Sequence, residues 1–451
     1  MSKKNKMGGN VIASGGFGCV FSPALKCIKT KKIPNKSITK LMITKFATDE
    51  YNEIKTIKKQ LKHIKKYNDY FVLNNVSLCR PMPISKKDLI GFKQKCTALP
   101  KDDINVNNIN DNMNRLMALT MKNAGLPVDD YIEQKKNFHA IYKINVKLID
   151  LFKNGIIPMN QSNVYHNDIK DSNILMDENK NKLFARLIDW GLATKYVPFT
   201  NQPFPSCWRN RSLQYNSPYS TILFSQTFVN DFKDFWVNDS NNLTGFVNTY
   251  FDYWAKERGE GHYKLMCKII NILTDDQPKK VMVNYIVNIL TVFFKEGGYK
   301  EEDIIVNLRK YLDTVFIHNV DKWGFVTSYF PILYLYHNNK RSLSEKQQKT
   351  FLKLRELFYY TYTTASTKID ANVIFYYLNS LTFNIHGDDD HTSGPSTIKF
   401  SSTPKGITGH TIDPDNNHHF DKKSHTKSRT KSHTKTRKNK NHNNSFTASL
   451  Y

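Results

Sequence analysis

The sequence HNDIKDSNIL, residues 166–175, joins a polar loop to an apolar, strand-like run. In this segment Asp168 can accept a proton from a hydroxyl group, and Asn173, five residues later, can reach a metal ion. A turn rich in Ser and Asn and capped by Asp171 would be a purely structural explanation. It would not account for His, Asp, Lys and Asn together at these offsets, so we interpret the segment as a catalytic loop that leads into a strand.

Two further segments point to phosphate chemistry. In LIDWGL, residues 187–192, an apolar strand ends at Asp189, which could hold a Mg²⁺ ion that bridges nucleotide phosphates. Upstream, ASGGFGCVF at residues 13–21 is a glycine-rich turn between two strand-like stretches. Glycines allow backbone N–H groups to approach phosphate oxygens without obstruction by a Cβ. A tight hairpin uses glycine for the same conformational reason, so this turn by itself leaves both explanations open.

Composition places the chain among globular proteins. Of its 451 residues 39% are hydrophobic and 13% aromatic, which is enough for a core and excludes wholly disordered or collagen-like chains. The six cysteines form no Cys-x-x-Cys pair of the kind found in zinc sites, and the simplest interpretation is that they stay reduced. No sustained apolar stretch follows the N-terminus, so we expect a soluble intracellular protein with no membrane contact.

The chain is strongly basic, with 66 Lys and Arg against 40 Asp and Glu and a formal charge of +26. Composition changes near residue 386, and residues 386–451, which we expect to be disordered, contribute +5 of this charge. Between Lys422 and Lys440 there are nine basic residues and no acidic one. This block could attach the protein to nucleic acid or another polyanion, or it could only increase solubility, and the sequence leaves both open.

Periodicity predicts an α+β fold. The stretch from Val11 to about Met42 alternates apolar and small residues around glycines, which favours strands. A helix that begins near Thr48 should follow, because apolar residues then recur at intervals of three and four. From Tyr131 onward helical patterns dominate, including a helix expected at about 134–152, so a cleft should separate a small β-rich front from a large helical back. The apolar face of the first helix comprises Tyr51, Ile54, Ile57, Leu61 and Ile64.

In this order, and at strand–turn positions, the three segments resemble the eukaryotic-type protein kinases over residues 10 to about 385. They look most like the serine/threonine kinases of large DNA viruses, which are similar to the vaccinia-related and casein-kinase-1-like branch. The resemblance implies a bilobal fold, with an N-lobe at 1–124, a C-lobe at 125–385 and a basic tail at 386–451. It also implies ATP and Mg²⁺ as cofactors, proteins with Ser or Thr acceptors as substrates, and action in the host cytoplasm or virion.

The resemblance assigns roles to individual residues. Asp168 would orient the acceptor hydroxyl and take its proton, and Lys170 would steady the transferred phosphoryl group, a lysine that is typical of serine/threonine kinases. Asn173 and Asp189 would be the Mg²⁺ ligands. The nucleotide-binding residues would be Ala13, Ser14, Gly15, Gly16, Phe17, Gly18 and Val20 in the glycine-rich loop, Lys40 on the third strand, Glu53 on the following helix, and in the hinge Met121, as gatekeeper, with Lys122 and Ala124.

Two of these assignments have alternatives. Lys40 lies on the best predicted strand, but Lys45 follows only five residues later. Glu53, directly before an apolar residue of the helix, fits the inward face better than Glu50. It could also be an exposed residue that pairs with nearby lysines.

Three departures from the family pattern leave other functions open. Ala13 replaces the first glycine of the loop, Asn167 stands where many kinases have an arginine, and Ser-Pro-Tyr at residues 217–219 replaces Ala-Pro-Glu. A pseudokinase scaffold is therefore one alternative. A choline- or aminoglycoside-type small-molecule kinase is another, because His-Asn-Asp and Ile-Asp-Trp also occur in that fold. Lys170 and the glycine-rich loop favour a protein kinase.

A further departure concerns a helix that the resemblance places soon after the Ala-Pro-Glu position. The matching Asp-x-Trp sequence, Asp321 to Trp323, comes roughly a hundred residues late, which predicts a helical insertion at about 225–315. Asp321 would then hold the catalytic loop, although an ordinary helix N-cap could also explain it. The aromatic residues of the insertion are expected to form core: Phe232, Phe235, Trp236, Phe246, Tyr250, Phe251 and Trp254.

Overall fold

The computed structural model describes residues 9–28, 36–135, 137–179, 182–198, 204–209, 211–238, 241–294 and 301–386. The predicted basic tail, apart from residue 386, lies outside the described residues. The described chain is α+β, as periodicity predicts, with a small β-sheet region at its N-terminal end and a large, mostly helical C-terminal region. None of the helices in this described part is long and apolar enough to cross a membrane.

Five antiparallel strands form the N-terminal sheet: β1 (Asn10–Ser14), β2 (Gly18–Ser22), β3 (Ser37–Ile43), β4 (Ser77–Cys79) and β5 (Leu116–Lys122). Their spatial order is β1–β2–β3–β5–β4, and the strands predicted in the first part of the chain are thus confirmed. In the centre of the sheet β3 pairs with β5, so that Lys40 lies opposite Leu119. Glycine is required where β2 begins, because a Cβ at Gly18 would lie 2.6 Å from the carbonyl oxygen of Leu41.

Helix α1 (Thr44–Leu61) follows β3 directly and packs its apolar face against the sheet. It begins four residues before the predicted start at Thr48, whose hydroxyl donates back to the carbonyl of the first helical residue instead of capping the helix. Ile54 and Ile57 are buried, as their spacing predicts, whereas Tyr51 is half-buried. Two short helices complete this region, α2 (Tyr67–Tyr70) and α3 (Phe92–Lys95).

Four of the six cysteines form disulfides in the N-terminal region. Cys19 is joined to Cys96 and Cys27 to Cys79, with Cα–Cα distances of 5.3 and 5.9 Å. The expectation that all the cysteines stay reduced is therefore wrong for these four. The partners are 77 and 52 residues apart in sequence, and only the folding of the chain around the sheet brings them together. The free thiols are those of Cys207 and Cys267.

The C-terminal region begins with short strands and helices that surround the predicted catalytic loop. The strands are β6 (Leu126–Pro127), β7 (Val164–Tyr165), β8 (Ile174–Asn179), β9 (Lys182–Leu187) and β10 (Thr194–Lys195), paired as β6–β8–β9 and β7–β10. The helices are α4 (Val128–Lys135), α5 (Phe138–Leu151) and α6 (Ile157–Gln161), and a π-helical turn joins the last two. The helix predicted at about 134–152 thus begins later, because the side chain of Asn137 accepts the N–H of Ala140 at 2.8 Å and caps α5.

The rest of the region is helical, and the predicted insertion is confirmed as helical in its described residues. It contains α8 to α12, and Phe232, Phe251 and Trp254 are buried there as core. The bounds are α7 (Ser206–Arg209), α8 (Gln226–Asn238), α9 (Leu243–Glu257), α10 (Glu260–Leu273), α11 (Pro278–Phe293), α12 (Glu301–Tyr311), α13 (Ile317–Thr327), α14 (Phe330–Asn338), α15 (Glu345–Thr363) and α16 (Ala371–His386).

Tyr219, the last residue of the Ser-Pro-Tyr sequence, is fully buried in an aromatic cluster. Its ring lies edge-on to those of Trp323, Tyr285 and Tyr362, at centroid distances of 5.0, 5.2 and 5.8 Å. Its hydroxyl has no hydrogen-bond partner among the described residues. Aromatic packing, rather than an ion pair, therefore holds this segment against α13 and α15.

Two replacements of Tyr219 should distinguish how much its ring contributes to stability from how much its buried hydroxyl group destabilises the protein. Tyr219→Ala should lower the free energy of unfolding by about 3–5 kcal/mol, because it removes a buried aromatic ring. Tyr219→Phe should leave stability unchanged or raise it by up to roughly 1 kcal/mol, because the hydroxyl it removes is unpaired. Urea unfolding of the three proteins measures both effects. A large loss for Tyr219→Phe would contradict this assignment.

Candidate functional site

The loop between β7 and β8 is anchored by Asp321 on α13. The carboxylate accepts the backbone N–H groups of His166 at 2.9 Å and Asn167 at 2.8 Å. Asn167 has a left-handed conformation, with φ 63°. One turn further along α13, Gly324 allows the helix and the loop to approach each other closely. A Cβ at this position would lie 2.5 Å from the carbonyl oxygen of Ile169 in the loop. The anchoring role predicted for Asp321 is thus confirmed.

Asp168 is buried at the centre of this loop. Its Oδ2 lies 2.9 Å from Nζ of Lys170 and accepts the side-chain amide of Asn173 at 2.8 Å. Its Oδ1 accepts the amide of Asn216 at 2.9 Å and lies 3.6 Å from Nη2 of Arg211. Burial alone would raise the pKa of Asp168, but the positive charges of Lys170 and Arg211 lower it to about 2. The carboxyl group is therefore ionised at neutral pH.

Asn173 and Asp189 come together through backbone pairing, because the N–H of Ile188 donates to the carbonyl oxygen of Asn173 at 3.0 Å. The side-chain amide of Asn173 donates to Asp168, which leaves its side-chain oxygen available to a cation. No group of three or more His, Cys, Asp or Glu side chains among the described residues could hold a metal ion. Mg²⁺ commonly takes only one or two protein oxygens and fills its other positions with phosphate and water oxygens, so this pair fits Mg²⁺.

Lys40 connects the sheet to this loop. Its Nζ lies 2.6 Å from a carboxylate oxygen of Glu50 on α1 and 3.3 Å from Oδ1 of Asp189. Burial alone would lower the pKa of Lys40, but the charges of Asp189 and Glu50 outweigh it, so the pKa is raised and the ammonium stays charged.

The choice of Glu53 as the partner of Lys40 is therefore wrong. Glu50 shares its helix face with Ile54 and Ile57, at spacings of four and three, and this face is buried against the sheet. Glu53 directly precedes the buried Ile54, so its side chain points away from the centre of this face and is half-exposed. The spacing of the buried positions was thus a signal in the sequence that could have identified Glu50.

The two glutamates form a matched pair for mutagenesis. Glu50→Gln should lower the free energy of unfolding by about 1–3 kcal/mol, because a buried ammonium loses one of its two charged partners. Glu53→Gln should change it by less than about 0.5 kcal/mol. Thermal unfolding measures both. In a double-mutant cycle, Glu50→Gln should lower the free energy of unfolding much less in a Lys40→Met protein than in wild type. An equal loss of stability in the two proteins would argue against the ion pair between Lys40 and Glu50.

The glycine-rich turn lies beside Lys40. A Cβ on Gly15 would lie 3.5 Å from Cε of Lys40, and the N–H of Gly15 donates to the carbonyl oxygen of Gly18 at 2.8 Å to close the turn. The hydroxyl oxygen of Ser14 accepts the N–H of Thr97 at 3.1 Å and that of the next residue at 3.2 Å, so it fixes the turn. The other predicted residues of this segment are Ala13 on β1, Gly16 and Phe17 in the turn, and Val20 on β2.

The predicted hinge connects β5 to the C-terminal region. Met121 is two residues after the β5 partner of Lys40, so both side chains emerge on the same face of the sheet. The ammonium of Lys122 pairs with Asp177 on β8 at 2.9 Å. Ala124 is fully buried at the junction.

Three polar residues around the loop were not predicted from the sequence: Arg211, Asn216 and His262. Arg211 and Asn216 contact Asp168 as described, and His262 on α10 stacks on Tyr215 at 5.7 Å. The hydroxyl of Tyr215 in turn donates to Asp171 of the loop at 2.8 Å. Burial lowers the pKa of His262 to about 4, so the imidazole is neutral. These residues belong to no motif, and only the fold brings them to the loop.

Asp129, at the start of α4, carries a carboxyl group with an unusual pKa. Burial, followed by the charges of Asp171 and Asp130, raises the pKa of Asp129 to about 7. The folded protein therefore keeps a proton that the unfolded chain releases near pH 4. Because the unfolded state binds fewer protons between about pH 4 and 7, this group makes the protein less stable as pH rises through that window.

Asp129→Asn should remove this penalty. The variant should gain on the order of 1–3 kcal/mol of unfolding free energy at pH 8 and little at pH 4, where the carboxyl is already protonated in the folded protein. Glu133→Gln is the matched control, because Glu133 is exposed on the same helix and is not one of the charges that raise the pKa of Asp129, so its change should be small at both pH values. Urea unfolding at the two pH values measures the effect, and an equal gain at both would contradict it.

In comparisons with known proteins, no protein-family model matches this chain, and no curated protein matches it significantly.

Proposed function

We propose that this protein is a serine/threonine protein kinase that transfers the γ-phosphate of Mg-ATP to hydroxyl groups of protein substrates. The observation that supports this proposal most is that charged and polar side chains from distant parts of the chain lie next to one another at the catalytic loop. Nζ of Lys40 from the sheet lies 3.3 Å from Asp189, and Asp189 is next in sequence to the residue that pairs with Asn173. Asn173 donates to Asp168 at 2.8 Å.

Each group has a chemical task in such a transfer. Asp168 would accept a hydrogen bond from the acceptor hydroxyl and orient its oxygen, and with a pKa of about 2 it would be a weak base that takes the proton late. Lys170, within hydrogen-bond distance of Asp168, would stabilise negative charge on the transferred group. Lys40 would bind the phosphates of the nucleotide, held in position by Glu50.

Nucleotide and metal would bind between the two regions. The turn around Gly15 would cover the phosphates, and the hinge at Met121, Lys122 and Ala124 would receive the adenine through backbone groups. Asn173 and Asp189 would hold Mg²⁺, which when bound neutralises charge on the phosphate oxygens. The proposed kinase fold and these roles rest on the resemblance and on the contacts above.

The test is transfer of labelled γ-phosphate from Mg-ATP to the protein itself, to casein and to histone. Wild type should yield phosphoserine or phosphothreonine, and Asp168→Asn should lower the rate by at least about 10²-fold, because the hydroxyl loses its acceptor. Asp252→Asn, at an exposed carboxylate on α9, is the matched control and should keep full activity. Wild-type turnover in Asp168→Asn would contradict the catalytic assignment.

Two other results would replace the proposal. Phosphorylation of choline or an aminoglycoside without transfer to protein would indicate a small-molecule kinase. ATP binding without any transfer would indicate a scaffold. Thermal unfolding of each variant confirms that a loss of transfer is not a loss of folding.

A further inference from the structure

The solvent-facing side of α1 and the turn after it form a concentrated positive surface, which we call the lysine stripe. Its second and third members are adjacent in sequence, and each of them lies three or four positions from the first and from the fourth, so that the four are neighbours on the helix surface. No acidic residue occurs from residue 54 to residue 68, and no acidic side chain of the described part forms an ion pair with the stripe. The lysine stripe comprises Lys55, Lys58, Lys59, Lys62, Lys65 and Lys66.

A cavity of about 570 Å³ lies at the end of the lysine stripe, between the turn and α6. Lys65, Lys66 and His63 line one side, and Asn154 and Gln161 line the other. His63 is held in place by a 3.1 Å hydrogen bond to the hydroxyl of Ser162. Two carboxylates belong to the neighbouring segments. That of Asp150 accepts hydrogen bonds from Tyr70 and Asn154, and Asp69 lies three residues after Lys66, whose carbonyl oxygen accepts its backbone N–H at 2.7 Å. The cavity therefore combines these polar groups with the apolar side chains of Ile64, Tyr70 and Pro158. Lys65 and Lys66 at its border form no ion pair with an acidic side chain of the described residues.

The helix dipole explains only part of this arrangement. Lysines in the last turn of a helix are stabilised by about 0.3–1 kcal/mol each, which accounts for Lys58 and Lys59. Lys65 and Lys66 lie beyond the helix, and like charges three or four positions apart cost about 0.2–0.5 kcal/mol per pair. Six lysines without acidic partners are therefore best accounted for by an anionic ligand.

The surroundings indicate which kind of anion. A membrane surface would need exposed apolar side chains beside the lysines, but Ile54, Ile57 and Leu61 of this helix are buried in the core. The positive charges extend along about 10 Å of helix from Lys55 to Lys62, which suits a chain of phosphates rather than a single one. The amide, imidazole and hydroxyl groups of the cavity can form hydrogen bonds with the edge of a base.

We propose that the lysine stripe and this cavity form a binding site for single-stranded nucleic acid, with phosphates along the stripe and an unstacked base in the cavity. A single strand is favoured over a duplex because a paired base could not enter the cavity. This site is independent of the proposed kinase activity, since none of its residues belongs to the candidate functional site.

The experiment measures binding of the full chain to a labelled 20-nucleotide single strand of mixed sequence, by fluorescence anisotropy over a series of KCl concentrations. The stripe variant replaces Lys58, Lys59, Lys62, Lys65 and Lys66 by Gln. Each lost phosphate contact should reduce the slope of log K against log salt by about 0.7, so the slope should fall by roughly 3 and affinity by at least tenfold. The control replaces five exposed lysines elsewhere by Gln, with the same change in net charge: Lys256, Lys264, Lys268, Lys310 and Lys349.

The control variant should change the slope by less than about 1, because these lysines make no contact with the strand. The basic tail is present in every protein, so its contribution cancels. Equal effects of the two variants, or no effect of either, would overturn the proposal.

A second variant tests the cavity. Gln161→Ala should weaken binding of the single strand several-fold and leave binding of polyphosphate, which has no bases, unchanged. An equal loss of single-strand binding and polyphosphate binding in this variant would overturn the proposal. So would tighter binding of a duplex, an acidic peptide or anionic vesicles than of the single strand. Ultraviolet crosslinking of a 4-thiouracil strand to wild type needs no variant and should label residues 62–70 or 154–162, and labelling confined to other segments would count against the site.

Discussion

The buried ammonium of Lys40 is the constraint on which the arrangement of the site depends. A charge taken out of water must be paired, and its partners come from two other elements, Glu50 on α1 and Asp189 after β9. The pairing therefore sets the rotation of α1 about its axis and the position of the sheet relative to the C-terminal region. The glycine-rich turn lies beside this side chain, and Met121 of the hinge emerges on the same face of the sheet as Lys40.

A second buried charge organises the C-terminal region. Among the described residues the carboxylate of Asp321 has no cationic partner at hydrogen-bond distance. It instead accepts two backbone N–H groups of the loop and the side-chain amide of Asn160. These bonds hold the loop in the conformation that presents Asp168. The aromatic cluster at Tyr219 packs against the same helix through Trp323.

The electrostatics of the loop follow from burial and charge together. Asp168 and Asp129 are both carboxyl groups in a partly or fully buried setting, yet their pKa values move in opposite directions. Positive charges surround Asp168, whereas Asp129 faces other carboxyl groups. Helix α1 has a similar division of roles: its buried face holds Glu50, and its exposed side carries the lysine stripe. A ligand on that side would contact the same rigid helix that positions Lys40.

Local sequence was sufficient for features that depend on neighbours in the chain. Periodicity predicted the α+β class, the first helix and the strands around the glycines, because such patterns reflect which side chains face a core. The resemblance to protein kinases identified Asp321 through its Asp-x-Trp sequence. Tertiary structure decided what depends on distant contacts. It brought Arg211, Asn216 and His262 to the loop and paired four cysteines. Helix register and long-range packing determine those contacts, and residue types at short spacing carry no record of them.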